Sequence, residues 1–338
     1  MTGLRFGYRS DSGIKWFTGP TGGEPPIGSA AEPPADPPRA RIGGLGGSTQ
    51  AQTSSILDLV IEPPAGFTVV AARWSDLQPV KDGALDASAV AAIAAGLTWA
   101  AGHGLPVLLR VDCLAAAPSW ADPATWWGSL WLDGYRDMMA KLAASPGVGD
   151  HAALAVVPIM GVFAGNGWAA NPVLATAAVA AGYTLDADMA ALAHVIDTHA
   201  TSWAPLNVTS SMRLAAHETV IDGAVETSTD RTIAVAEDAI AKLGSTAGFN
   251  LVGFSGANTT GVLQSWGAAH APSVPLHVRS APLATLTAAG ATTATVVSTA
   301  ATMGAASVEV AAGSLTEWTT TMAATAHAAL RANLPAGG

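Results

Sequence analysis

Residues 67–112 read FTVVAARWSDLQPVKDGALDASAVAAIAAGLTWAAGHGLPVLLRVD. An apolar run, Phe67–Ala72, breaks at Arg73-Trp74-Ser75-Asp76-Leu77-Gln78-Pro79. A polar loop with Asp82-Gly83 follows, then an Ala-rich helical stretch, then a second apolar run, Val107–Val111, closed by Asp112. Strand, loop, helix and strand in that order make one complete βαβ unit. Its crossover forces the two strands to run parallel. That unit commits the chain to an α/β architecture.

The same alternation continues on either side. Strands are expected at Ile42–Leu45, Phe67–Arg73, Val107–Asp112, Leu154–Val162, Leu206–Leu214, Phe249–Ser255, Leu276–Ser280 and Ser307–Val310. Helices are expected at Ser88–Gly102, Trp126–Ala144, Ala187–Thr201, Thr232–Leu243 and Leu315–Ala332. Ser88 is the expected cap of the first, with Asp86 adding charge at its N-terminus, and Asp230 the expected cap of the fourth. Eight strands separated mostly by helices point to a closed (β/α)8 TIM barrel over residues 41–338, with an open doubly wound sheet as the alternative. The weak points are the glycine-punctuated first strand and the segment after Phe249–Ser255.

Residues 1–40 are different. Arg5, Phe6, Tyr8, Trp16 and Phe17 give an aromatic-basic opening, and residues 19–38 are dominated by Gly and Pro. Proline pairs favour extended polyproline conformation over helix. The expectation is an extended Pro/Gly-rich N-terminal arm that docks on a neighbouring subunit through its aromatics. A disordered leader is the other reading.

Composition narrows the functional classes. Half the residues are hydrophobic and only 12% are charged, with a net charge of −10. An average globular chain carries roughly 25% charged residues. So few charges suit a subunit of an oligomeric assembly. No Lys/Arg cluster offers a nucleic-acid footprint. The single cysteine, Cys113, excludes an internal disulfide framework and a Cys-based zinc site, and reads as a buried filler. Met1–Tyr8 has no signal-peptide core, and no apolar run is long enough to span a bilayer. Gly43–Gly47 lacks the partners of a nucleotide loop, and Gly253–Ala257 lacks the final glycine of a nucleophile elbow. No cofactor and no metal site are expected.

The wording of the βαβ unit resembles the second and third strands of clan-A glycoside hydrolases. There a Trp-x-x-Leu-x-Pro turn leads into a helix and a strand with a polar end. Ala117-Pro118-Ser119-Trp120 and Trp126-Trp127, followed by a helix with Tyr135, extend the likeness. So do Ala155–Gly161 as a fourth strand and Ser307–Val310 as an eighth. The resemblance implies glutamates at the ends of strands four and seven. Retaining glycosidases hold two such carboxyls roughly 5 Å apart, one as acid and one as nucleophile. Here strand four runs into Gly161-Val-Phe-Ala-Gly-Asn166-Gly-Trp168, and strand seven reads Leu276-His-Val-Arg279-Ser280. Neither holds an acid. The fallback catalytic candidates are Glu218, Glu309 and Asp112. The ligand-binding candidates at the strand ends are Trp74, Asp76, Arg110, Asp112, Trp120, Asn166, Trp168 and Arg279. Tryptophan faces stack on sugars or simply pack, and both readings stay open.

The arm, the charge-poor surface and the incomplete barrel together resemble minor tail proteins of actinobacterial phages. That resemblance implies a structural virion component at a tail tip, made in the host cytoplasm. Residues 1–40 would contact other tail subunits, and a pseudoenzyme barrel would bind cell-envelope glycan. The alternatives are an active glycoside hydrolase and an intracellular enzyme of unrelated chemistry.

Overall fold

The structure, a computed structural model, describes residues 7–10, 13–16, 39, 41–59, 66–161, 167–221, 224–256, 259–310 and 318–335. The chain divides into two compact units, Met1–Pro37 and Pro38–Gly338. In the first, Gly7–Ser10 and Gly13–Trp16 pair as an antiparallel hairpin. Phe17 and the proline-rich stretch lie outside the described residues.

The second unit is a closed barrel of eight parallel strands: β1 Gly44–Gly47, β2 Phe67–Arg73, β3 Val107–Asp112, β4 Leu154–Pro158, β5 Thr209–Arg213, β6 Ala247–Phe254, β7 Leu276–Ser280 and β8 Ser307–Val310. β8 closes on β1 with Ser307 opposite Gly44 and Val310 opposite Gly47. Every expected strand is present, and closure removes the open-sheet alternative. The glycines of β1 follow from crowding. A Cβ on Gly46 would meet the Phe67 ring at 2.5 Å, and one on Gly47 would meet the backbone nitrogen of Thr53 at 2.5 Å. The first strand is glycine-rich because the barrel and the next helix press on both its faces.

The five expected helices appear as Ala87–Gly102, Ser129–Ala143, Leu185–Ser202, Thr229–Leu243 and Thr320–Arg331. Two caps differ from expectation. Asp86 itself accepts from the backbone nitrogens of Ser88 and Ala89, both at 2.9 Å, because its carboxylate is the stronger acceptor. Ser228 accepts from the Arg231 nitrogen at 3.2 Å, leaving Asp230 in the first turn, where the helix dipole favours it. Helices Gln50–Leu57, Pro172–Ala180, Val262–His270, Leu283–Ala288 and Thr293–Thr302 complete the outer layer. Between β5 and its helix the chain makes an antiparallel hairpin, His217–Ile221 with Ala224–Ser228. The sequence signal for it is Asp222-Gly223 between two alternating runs.

Strand alternation sorts the side chains. Val70, Leu109, Met212, Leu251, Val278 and Val308 pack outward in the large core between barrel and helices. Phe67, Val69, Leu108 and Val156 point the other way and form a separate small cluster with Ile42 inside the barrel. By the same alternation Arg73, Arg110, Arg213, Arg279, Glu309, Ser211, Asn250 and His277 face the interior. The interior is therefore apolar along the first part of β2–β4, where Phe67, Val69, Leu108 and Val156 meet, and polar from β5 to β8, with Arg73 and Arg110 adding charge near the ends of β2 and β3.

The outer core beside β2 and β3 is aromatic. Trp74 stands edge-on to Trp120 at 5.4 Å and to Trp131 at 5.0 Å, and Trp131 stacks on Tyr135 at 5.2 Å. Gln78, fully buried, links this cluster to the adjacent loop. Its side chain accepts from the Trp74 indole at 3.2 Å and donates to Asp137 at 2.6 Å, while its backbone carbonyl accepts from the Trp120 indole at 3.3 Å. The Trp-x-x-Leu-x-Pro turn is thus a packing device. Behind β5, buried His199 bridges Tyr135 Oη at 2.8 Å and Ser210 Oγ at 3.0 Å. At the N-terminal end of the barrel, Arg39 donates to the carbonyls of Gly149, His151 and Leu154 at 2.5, 2.8 and 3.2 Å.

Two outcomes follow from this packing. A Cβ on Gly134 would lie 2.6 Å from the Trp120 ring. Gly134→Ala is therefore expected to cost about 1–3 kcal/mol by overpacking, although helix propensity alone favours alanine by roughly 1 kcal/mol. A denaturant titration decides the sign. Burial lowers His199 from 6.5 to about 3. The unfolded chain takes up this proton near pH 6.5, and the folded chain takes it only near pH 3. The neutral imidazole's contribution is complete above pH 6.5 and is lost as pH falls toward 3. The melting temperature should drop across that window, and drop less in His199→Gln.

Candidate functional site

Function in a parallel barrel gathers where the strands end. Here that mouth is built around Glu309 of β8, whose side chain is fully buried. Ser48, just past β1, donates to its Oε1 at 2.7 Å. Arg110 of β3 donates to its Oε2 at 2.5 Å, and Arg279 Nε lies 3.3 Å from Oε1. Burial pushes the Glu309 carboxyl up, but His277 and the Arg110 and Arg279 guanidiniums outweigh it and hold the carboxyl well below the usual range. Glu309 stays ionised and cannot supply a proton near neutral pH.

His277 Nε2 stands 3.7 Å from Glu309, beyond hydrogen-bond length, so it acts as a nearby dipole and not as a donor. Its Nδ1 lies 2.7 Å from Ser307 Oγ. Burial lowers its pKa more than Glu309 raises it, so the ring is neutral. Arg213 of β5 is paired in register with Asn250 of β6, which is paired with His277 of β7. Burial and the charge of Arg279 lower the Arg213 guanidinium, and Glu218 opposes them. Buried Glu218, from the hairpin after β5, accepts from the Ala169 nitrogen at 2.8 Å.

The expected residues sort clearly. Arg110, Arg279 and Glu309 converge. Asp112 is exposed at the end of β3, opposite Arg73 in register, and accepts weakly from the Ala116 nitrogen at 3.3 Å. Asp76 is exposed one turn beyond β2, beside Ser75. Trp74 and Trp168 are corrections. Both are closed off from solvent, Trp74 in the cluster described above and Trp168 against Trp127 and Tyr183. Neither ring can stack on a ligand. Trp120 is half-buried against Trp74 and Gly134. Asn166 lies outside the described residues. Arg213, Asn250 and Ser211 were not singled out from the sequence, although strand parity with Arg279 and Arg110 was the signal that could have found them.

No residue pair matches the glycosidase arrangement at β4 and β7. The sequence has no Asp or Glu between Asp150 and Asp186, nor between Asp238 and Glu309. Those intervals contain β4, β6 and β7 with the loops that follow them.

No family model matches the sequence, and no curated protein matches it. Solved structures do resemble the fold. The tri-modular endo-β-1,4-glucanase B from Bacillus halodurans is similar over 86% of this chain and 59% of its own, with TM-score 0.50 and 12% identity. A broad-specificity endoglucanase from an uncultured bacterium is similar over 81% of this chain and 83% of its own, with TM-score 0.50 and 8% identity. These likenesses establish the (β/α)8 barrel, the fold on which those endoglucanases are built. The chemistry rests on the residues at the mouth.

Replacing Glu309 tests its role as a hub. Glu309→Gln leaves two guanidiniums without their counter-charge. It should destabilise the fold by roughly 2 kcal/mol, below the range for a fully buried broken pair because both arginines keep some access to water. Equilibrium unfolding measures this, and an unchanged midpoint would remove Glu309 from the centre of the structure.

Proposed function

We propose that this chain is a non-hydrolytic, glycosidase-like barrel that holds cell-envelope glycan at its mouth and serves as a structural subunit of a phage tail tip. One observation carries the loss of hydrolysis. The strand ends that would hold acid and nucleophile have no carboxylate, and the buried Glu309 is locked as an anion between Arg110 and Arg279. Glycoside cleavage needs a carboxylic proton on the leaving oxygen, and an ionised carboxylate cannot give one. The charge-poor composition supports burial of surface in an assembly. Residues 1–40 supply the contact with neighbouring tail subunits.

A second reading is favoured by Glu218, buried beside the mouth and within reach of Arg213's charge. In that reading it forms a relocated catalytic pair with Asp112.

The purified chain, incubated with envelope polysaccharide, is expected to retain sugar in calorimetry and release no reducing ends. Removing residues 1–37, which keeps Arg39 on the barrel, should leave glycan binding intact and abolish incorporation into tail particles. Release of sugar that stops in Glu218→Gln or Asp112→Asn, with folding unchanged, establishes the relocated pair and overturns the proposal.

A further inference from the structure

The outer helices divide by charge. Those after β3, β4 and β5 include Ser129–Ala143, Leu185–Ser202 and Thr229–Leu243. These three hold eight Asp or Glu and four Lys or Arg, from Asp133 to Lys242. The helices after β6, β7 and β8 are Val262–His270, Leu283–Ala288, Thr293–Thr302 and Thr320–Arg331. Arg331, at the very end, is their one charged residue. Between Lys242 and Glu309 the sequence has a single charge, Arg279, and that side chain is committed to Glu309 at the mouth. The helices after β1 and β2, Gln50–Leu57 and Ala87–Gly102, have none. The nearest charges in sequence, Asp58 and Asp86, cap those two helices.

The helix layer from β6 round to β2 is thus almost without charge, while the whole chain carries −10. Val262, Leu283 and Met322 are exposed on it. At its base the chain ends of three of these helices line a crevice of about 400 Å³, with Ala271, Met303 and Leu334 in the walls and no charged residue among them. The same surface therefore offers apolar projections and an apolar recess. This distribution selects the partner. A charged surface laid against it would lose its water with nothing to answer its charges, which excludes nucleic acid and strongly charged proteins. A membrane interface is met by aromatic and basic side chains, and none of either is exposed on these helices. A second copy of the chain fits. A two-fold contact sets a patch against itself, so the patch must complement its own chemistry. Two copies meeting through the helices after β3, β4 and β5 would oppose acid to acid, because acids outnumber bases there. Through the uncharged side they meet without repulsion and without stripping water from a charge.

We infer that the uncharged side of the barrel, centred on Val262–His270, Thr293–Thr302 and Thr320–Arg331, is an interface between copies of this chain, with the charged helices turned outward to water. This deepens the assembly reading given above and rests on it for the role of the interface. The contact itself needs neither glycan nor residues 1–40. It also gives the low charge of the chain a location: the charges are missing where the copies meet.

Light scattering of the full chain during gel filtration tests this. The mass should be at least twice the 33.7 kDa of one chain. Ser298→Glu and Ala329→Glu, at exposed positions of the uncharged helices, should each weaken self-association by about ten-fold or more, since a two-fold contact meets every new carboxylate twice. Ser298→Gln, equally long but uncharged, should weaken it less. Ala140→Glu, exposed on Ser129–Ala143, should leave the mass unchanged. Hydrogen exchange on the native chain needs no variant: dilution should speed exchange in residues 293–302 and 320–331 and leave 129–143 as they were. An oligomer that survives both glutamates assembles through another surface and overturns the inference. A chain that is monomeric at every concentration also overturns it. If that monomer still enters tail particles, the assembly reading stands without this interface; if it does not, both fall.

Discussion

The carboxylate of Glu309 is the point on which the barrel's upper half depends. It is fully buried, and four groups from three places in the chain face it: Ser48 beyond β1, Arg110 on β3, and His277 and Arg279 on β7. Strands eight and one meet where the ring closes, so Glu309 and Ser48 tie the seam across which nothing in chain order holds them. A charge in that position is costly without its partners. These partners, with Ser211, Arg213 and Asn250, make the interior polar toward the mouth, and the polar interior is what distinguishes this mouth from a barrel filled by branched apolar residues. The same ion pairs that close the ring also remove Glu309, the buried carboxylate on a barrel strand, from acid chemistry.

Much of the fold was legible because parallel strands buried on both faces read as near-continuous apolar runs. Phe67–Arg73 and Val107–Asp112 were found to the residue, and Leu276–Ser280 and Ser307–Val310 likewise. Helix ends were less legible. Asp86 and Ser88 both suit a cap, and only geometry shows that Asp86 takes both nitrogens. Pro172–Ala180 and Thr293–Thr302 were missed because Ala, Thr and Val without a polar face give no helical period. The first strand looked weak for a reason that proved structural: its glycines admit the Phe67 ring and the helix beginning at Gln50.

The site was legible in part. Strand-end position pointed to Arg110, Arg279 and Glu309, and these three meet. It also pointed to Trp74 and Trp168, which turned away from the mouth into the helix layer. The difference lies in parity and in size. Trp74 falls just past the end of β2, in the turn that swings back over the outer core, where a large ring gains most by burial. Tryptophan abundance therefore reported on packing behind β2, β3 and β4. The polar parity of Ser211, Arg213, Asn250 and His277 reported on the interior.

Arg39 has a mechanical meaning. Its guanidinium grips three carbonyls of the loop that leads into β4, at the end of the barrel opposite the mouth. Tension arriving from the preceding residues reaches this grip before it reaches β1. Several hydrogen bonds loaded together resist far more force than bonds opened one at a time. The short first strand, with its four residues and small glycines, begins five residues beyond this grip. Residue 39 is thus fixed to the base of the barrel, and the chain enters the ring from the end opposite the mouth.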